Sequence, residues 1–198
     1  MLTGFYQSTA IILVALSFYV TDAWFHQKYD RVRVDGRTGR SWPVILSSMA
    51  LAALLLLQPV FLPQLGWSTA APWGLWLQIS GAMVCLGGLL LNVWARRHLG
   101  QFYVQRSEVQ SNHRLIDSGP YAYVRHPLFT AYFMLVIGWL FINPSPLMLT
   151  LNIGIYFYLT NLARKDEAVL RQHLPEYQAY MARTPRFFPR PASRRANT

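Results

Sequence analysis

Nine residues, Gly119-Pro120-Tyr121-Ala122-Tyr123-Val124-Arg125-His126-Pro127, place a turn, two tyrosines and an Arg-His pair directly before an apolar stretch that opens at Leu128. Proline is favoured in the first turn of a helix, where its missing N–H costs nothing, so Pro127 predicts a helix start. Arg125 and His126 then stand at a helix N-terminus, where backbone N–H groups and the helix dipole favour a carboxylate or a phosphate. The chemistry this offers is an anion clamp. The plainer role is equally open: Arg125 reaching to lipid headgroups, with Tyr121 and Tyr123 in an interfacial aromatic belt. Downstream, Arg164, Lys165, Asp166 and Glu167 put both signs within one helical turn. Such a run is ordinarily a solvated face with weak ion pairs. It gains meaning if a short helical hairpin returns it to the Arg125 and His126 end. Metal ligation is not read. His98, His113, His126 and His173 contain no pair at the i, i+4 spacing of a helical zinc motif, and the one cysteine, Cys85, lies in the middle of an apolar run.

The elements that must position these groups are apolar. The chain has 198 residues, 53% hydrophobic and 13% charged, too apolar for an ordinary soluble domain. Apolar runs cover Gly4 to Phe25, Pro43 to Leu62, Pro72 to Ala95, Leu128 to Ile142 and Leu147 to Ala163. Crossing the hydrocarbon core takes about 20 helical residues, which the first three supply. The last two are shorter, and Asn143-Pro144-Ser145-Pro146 breaks the chain between them, as a hairpin of two helices requires.

The formal charge of +10 raises the question of nucleic acid, and the placement of the charge answers it. Every Lys and Arg falls within Lys28 to Arg40, Arg96 to Arg125 or Arg164 to Arg195, while the loops Gln58 to Ala71 and Asn143 to Pro146 hold none. Short loops rich in Lys and Arg stay cytoplasmic. The expectation is an all-α integral membrane bundle of about five transmembrane helices, with the N-terminus outside and a cytosolic C-terminal helical cap, and no nucleic acid as partner. The first apolar stretch lacks a basic flank and a small-residue cleavage site, so it is read as a retained helix. Without repeats or a long linker, one structural unit is expected: 1–95 as N-terminal transmembrane helices with a basic loop, 96–198 as the chemical core.

Of the three basic segments, Lys28 to Arg40 reads as a structural loop facing lipid headgroups. The segment from Arg96 to Pro127 carries three histidines, aromatics and both charge signs, more than a topology signal needs. Set in order, LGQFY, HRLIDSGPYAYVRHP, a helical hairpin and DEAVLRQHLPEYQAYMARTPRFFP run from about Arg97 to Pro189. In this ordered set the chain resembles the isoprenylcysteine carboxyl methyltransferase family and its bacterial and phospholipid-methyltransferase relatives.

That resemblance implies S-adenosylmethionine as cofactor. It places His113, Leu115, Ile116 and Tyr121 along the cofactor pocket with Arg106 near it, and completes the pocket with Arg125, His126, Pro127, Asp166 and Glu167. Arg125 and Glu167 are the residues on which catalysis is expected to turn. The chain departs from the family pattern twice, with Phe129 where a tyrosine is usual and Asp166 where the acidic pair usually has glutamate. The family also has an arginine close before the acidic pair, and Arg164 is the nearby candidate.

Methyl transfer from a sulfonium is an in-line displacement in which positioning dominates. The expected acceptor is a lipophilic small molecule or a prenylated or lipid group reached from the bilayer, among membrane lipids; its identity and the oligomeric state are not legible. A bacterial inner membrane is the expected location. Two rivals stand beside this reading. A sterol-reductase-type membrane enzyme also has an Arg-His pair before a helix, and would use NADPH. A scaffold or transporter would be expected to place ionisable residues inside its spans, whereas Asp22 is the only charged residue within an apolar run, near its end.

Overall fold

A computed structural model describes residues 2–29, 57–67, 72–99 and 115–189. All regular structure among them is helical: α1 (Phe5–Tyr29), α2 (Pro72–Leu99), α3 (Pro127–Ile142), α4 (Pro146–His173) and α5 (Tyr177–Arg183), with 3-10 turns at Pro63–Leu65 and Gly119–Ala122. Four expected apolar runs therefore appear as α1 to α4. Of the run Pro43 to Leu62 only 57–62 lies within the described residues, and 57–61 of it is helical.

Local chemistry sets the ends of these helices. Pro127 and Pro146 open α3 and α4 at the position where proline is tolerated. The Ser145 hydroxyl caps α4 by accepting the Met148 N–H at 3.2 Å. Pro175 follows α4, and the chain turns there into the seven-residue α5.

Two helical stretches, Phe5–Phe25 and Trp73–Leu99, are long and apolar enough to cross a membrane, and Pro127–Ile142 is a shorter apolar helix. Their outward faces are apolar and aromatic: Leu13, Leu16, Tyr19 and Val20 on α1, Trp76, Met83 and Leu90 on α2 are all more than half or about half exposed. Aromatic residues cluster at the ends of these stretches, with Phe5, Tyr6 and Trp24 on α1 and Trp73, Trp76 and Trp94 on α2, as at a membrane interface.

The chain divides into two compact units, the first Met1–Leu86 with Val136–Ile153, the second Gly87–Leu135 with Gly154–Thr198. In the first, α2 and α3 meet so closely that a Cβ on Gly81 would stand 2.7 Å from the Gly138 carbonyl oxygen. A Cβ on Gly138 would run into the Cys85 sulfur. Small residues are what permit such an approach. Cys85 is thus a buried packing residue.

The first unit also buries a set of neutral amides around the end of α3. Gln7 and Gln78 donate to the Ile142 carbonyl at 3.1 and 3.4 Å, satisfying a helix end that has no partner within the helix. Gln78 and Leu2 exchange two hydrogen bonds at 2.8 and 2.9 Å. Asn143 donates to Gln58 at 2.6 Å, and Gln58 in turn to the Leu62 carbonyl at 3.1 Å. The turn Asn143–Ser145 that joins α3 to α4 is held by this closed network.

Candidate functional site

In the second unit, the chain entering α3 is laced to the segment that follows α5. The Arg125 and His126 N–H groups donate to the carbonyls of Pro185 and Arg186 at 2.9 and 3.0 Å. The Thr130 hydroxyl reaches the Phe187 carbonyl at 2.8 Å. The two N–H groups at the N-terminus of α3 that sequence reasoning offered to a ligand are therefore spent on protein carbonyls.

The Arg125 and His126 side chains converge on Glu167, which α4 carries to the same place. Its carboxylate is only 1% exposed and meets two guanidinium groups and one imidazole. Arg125 donates through Nε at 3.1 Å and Nη2 at 3.0 Å, His126 through Nε2 at 3.2 Å, and Arg186 through Nε at 3.0 Å and Nη2 at 2.6 Å. Arg125 further donates its Nη1 to the carbonyls of Met181 and Thr184. A buried carboxylate is tolerable only when so paired. Burial is the largest single influence on its acidity and acts upward; hydrogen bonds from His126 and Arg186, with the charges of Arg125 and His126, outweigh it and hold the carboxyl well below the usual carboxylate range. Glu167 is an anion under all ordinary conditions. Its hydrogen bond raises the Arg186 guanidinium in turn.

Aromatic rings flank the clamp. The Phe129 ring lies parallel to His126, 4° from coplanar with centroids 5.2 Å apart, and Phe187 approaches the same imidazole at 6.0 Å. Phe129 thus supplies the ring stacking that a tyrosine would give here, without a hydroxyl. Phe187 also packs edge-on against Phe133 at 5.0 Å.

The other expected site residues fall in different places. Leu115 packs on the cluster of Leu174, Tyr177 and Tyr180 that seats α5, and the buried Tyr121 offers its carbonyl to the Tyr180 hydroxyl at 2.6 Å. Burial pushes the Tyr177 phenol up to about 12, and that of Tyr180 higher still, so both remain protonated donors. Ile116 is half-buried, Pro127 buried as the first residue of α3, and Asp166 half-buried, about 100° around α4 from Glu167. Arg164 is exposed. Arg106 and His113 lie outside the described residues. His98 and His173 make contacts local to their helices, with the carbonyls of Trp94 and Val169.

The turn before the Arg-His pair is fixed by Gly119, whose φ of +60° is a conformation that suits glycine. A Cβ there would run into the His98 ring, so the turn lies directly on the end of α2. Arg186 is the member of the clamp that the sequence did not single out. The available signal was its place in the TPRFFP segment, the last part of the ordered set on which the resemblance rests.

Comparison with known proteins bears on this geometry. Residues 81–171 match the model of the isoprenylcysteine carboxyl methyltransferase family. Over 83 residues, 41% of this chain, the sequence is 35% identical to the cobalt-zinc-cadmium resistance protein CzcN of Cupriavidus metallidurans, covering 38% of that protein. Over 78 residues, 38% of this chain, it is 35% identical to the nickel-cobalt-cadmium resistance protein NccN of Alcaligenes xylosoxydans xylosoxydans, covering 36% of it. The matches thus span less than two-fifths of either relative. The matched family is one of methyltransferases, and with two helices apolar enough to cross a membrane the chain reads as a membrane protein. The stretch similar to the isoprenylcysteine carboxyl methyltransferase family, residues 81–171, includes Arg125, His126 and Glu167.

Proposed function

We propose that this protein is a multi-pass membrane enzyme that transfers a methyl group from S-adenosylmethionine to a lipophilic or membrane-associated acceptor. The observation that carries the proposal is the clamp of Arg125, His126 and Arg186 on the buried Glu167, two of whose donor residues precede α3 in the motif that the family resemblance rests on. The donor set fits the cofactor, since planar guanidinium groups with oriented N–H donors suit the carboxylate of its amino-acid portion. When bound, S-adenosylmethionine supplies an electrophilic methyl on a sulfonium.

The chain's own work is positioning. Glu167 fixes the directions of three donor side chains at once, and the tail carbonyls of Pro185 and Arg186 fix the backbone from which two of them project. His126, held between Glu167 and the Phe129 ring, has no rotational freedom left to lose when a ligand docks beside it. Exposed aromatics on the same unit, Tyr156, Phe157 and Phe188, offer an apolar approach for an acceptor arriving from the bilayer. The proposal places the clamp at the cytosolic face of a bacterial inner membrane, with the N-terminus outside, on the distribution of Lys and Arg.

The test is calorimetric titration of detergent-purified protein with S-adenosylhomocysteine and, separately, NADPH. Binding of the first alone is the expected result. Binding of NADPH alone would move the chain to the reductases, and binding of neither would remove the enzymatic reading.

A further inference from the structure

The clamp has more donors than its one carboxylate can absorb, and most of the surplus lies on Arg186, only two of whose five N–H donors are engaged. Glu167 accepts five hydrogen bonds, from Arg125 Nε and Nη2, His126 Nε2, and Arg186 Nε and Nη2. Four of these end on Oε1 and one on Oε2, and with the side chain only 1% exposed the carboxylate is turned to the protein's own donors and away from a ligand. Arg125 has four of its five N–H donors engaged, Nε and Nη2 on Glu167 and Nη1 on two backbone carbonyls, and its side chain is only 9% exposed.

Arg186 differs on each count. Its side chain is 29% exposed, and it meets the two oxygens of Glu167 side-on through Nε and Nη2. This fork fixes the guanidinium plane and leaves the outer nitrogen, Nη1, without an acceptor among the described residues. Its backbone is fixed as well, by the His126 N–H on its carbonyl at 3.0 Å. The result is a rigid cation with one open edge, 15 residues past the end of the family match at residue 171.

We infer that Arg186 binds the carboxylate of the cofactor's amino-acid portion through its open edge, and that Glu167 is the positioning residue that aims it. The inference rests on the methyltransferase reading. That carboxylate is the one formally anionic group of S-adenosylmethionine, and a planar guanidinium is matched to it in shape and charge. Glu167, held anionic and out of reach, acts through Arg186 without touching the ligand.

The experiment titrates the full chain in detergent with S-adenosylhomocysteine and with methylthioadenosine, which keeps the nucleoside but lacks the amino-acid portion. Arg186→Gln should weaken S-adenosylhomocysteine about tenfold or more, the weight of a hydrogen bond to a charged group. It should leave methylthioadenosine affinity unchanged, and Arg186→Lys should restore part of the loss. Equal weakening of both compounds would mean general damage to the site and would overturn the inference, as would unchanged S-adenosylhomocysteine affinity in Arg186→Gln. If the unaltered protein binds neither compound, the methyltransferase reading fails first and the inference falls with it.

Discussion

The two compact units solve the same problem, buried polar groups in an apolar chain, in opposite ways. In the first unit Gln7, Gln58, Gln78 and Asn143 are neutral amides, and their donors end on one another or on the open carbonyls of Ile142, Leu2 and Leu62. In the second unit the clamp on Glu167 is ionic, and it leaves donors of Arg186 unengaged. A closed neutral network holds a turn in place at the cost of a few satisfied amides. An ionic network requires far more desolvation, and one with an unspent donor signals a place built to receive something.

The strongest way to break this contrast is Glu167→Ala. It leaves Arg125, His126 and Arg186 facing one another with no anion, a change that typically costs about 3–5 kcal/mol when one partner of a buried pair is removed. Thermal unfolding in detergent should show a large drop, and S-adenosylhomocysteine binding should disappear. Retained affinity would deny Glu167 any part in shaping the site.

Acid should act on the second unit selectively. The folded Glu167 carboxyl lies below its ordinary value of 4.5, so its contribution is complete above about pH 4.5 and is lost as pH falls from there toward the folded value. Hydrogen exchange followed from pH 7 to pH 3 should show faster opening at α5, while amides of α1 hold, because the amide network of the first unit has no group that titrates. Equal loosening of both would contradict the ionic assignment.

Gly138→Val sharpens the comparison from the other side. It forces a side chain onto Cys85 in the first unit, and overpacking of this kind costs about 1–3 kcal/mol. Melting temperature should fall while S-adenosylhomocysteine affinity is kept. Asn143→Ala removes the donor to Gln58, leaving a buried amide oxygen unpaired at about 1–3 kcal/mol, again without effect on cofactor affinity. Smallest of all should be Arg183→Ala. Its ion pair with Asp117 is roughly half exposed on both sides, and such pairs contribute about 1 kcal/mol or less. A large effect there would mean that the segment before the Gly119 turn is anchored chiefly by that pair.

The apolar runs, the Asn143 to Pro146 break, the helix start at Pro127 and the return of an acidic residue to the Arg-His pair were all legible in the chain. Each depends on neighbours in sequence: length and periodicity for the helices, proline for their ends, and a short connection for the return. The family resemblance was legible for the same reason, as an ordered set of local motifs. Tertiary structure decided how the site is composed. The lacing of Pro185 to Phe187 against the entry to α3 joins residues about 60 positions apart, which no local pattern reports. That lacing brought Arg186 to Glu167 and took the backbone N–H groups of Arg125 and His126 out of play. It also seated Leu115 and Tyr121 against α5. Which donors stay unspent depends on how many acceptors the folded chain brings within reach, and distance in space sets that number.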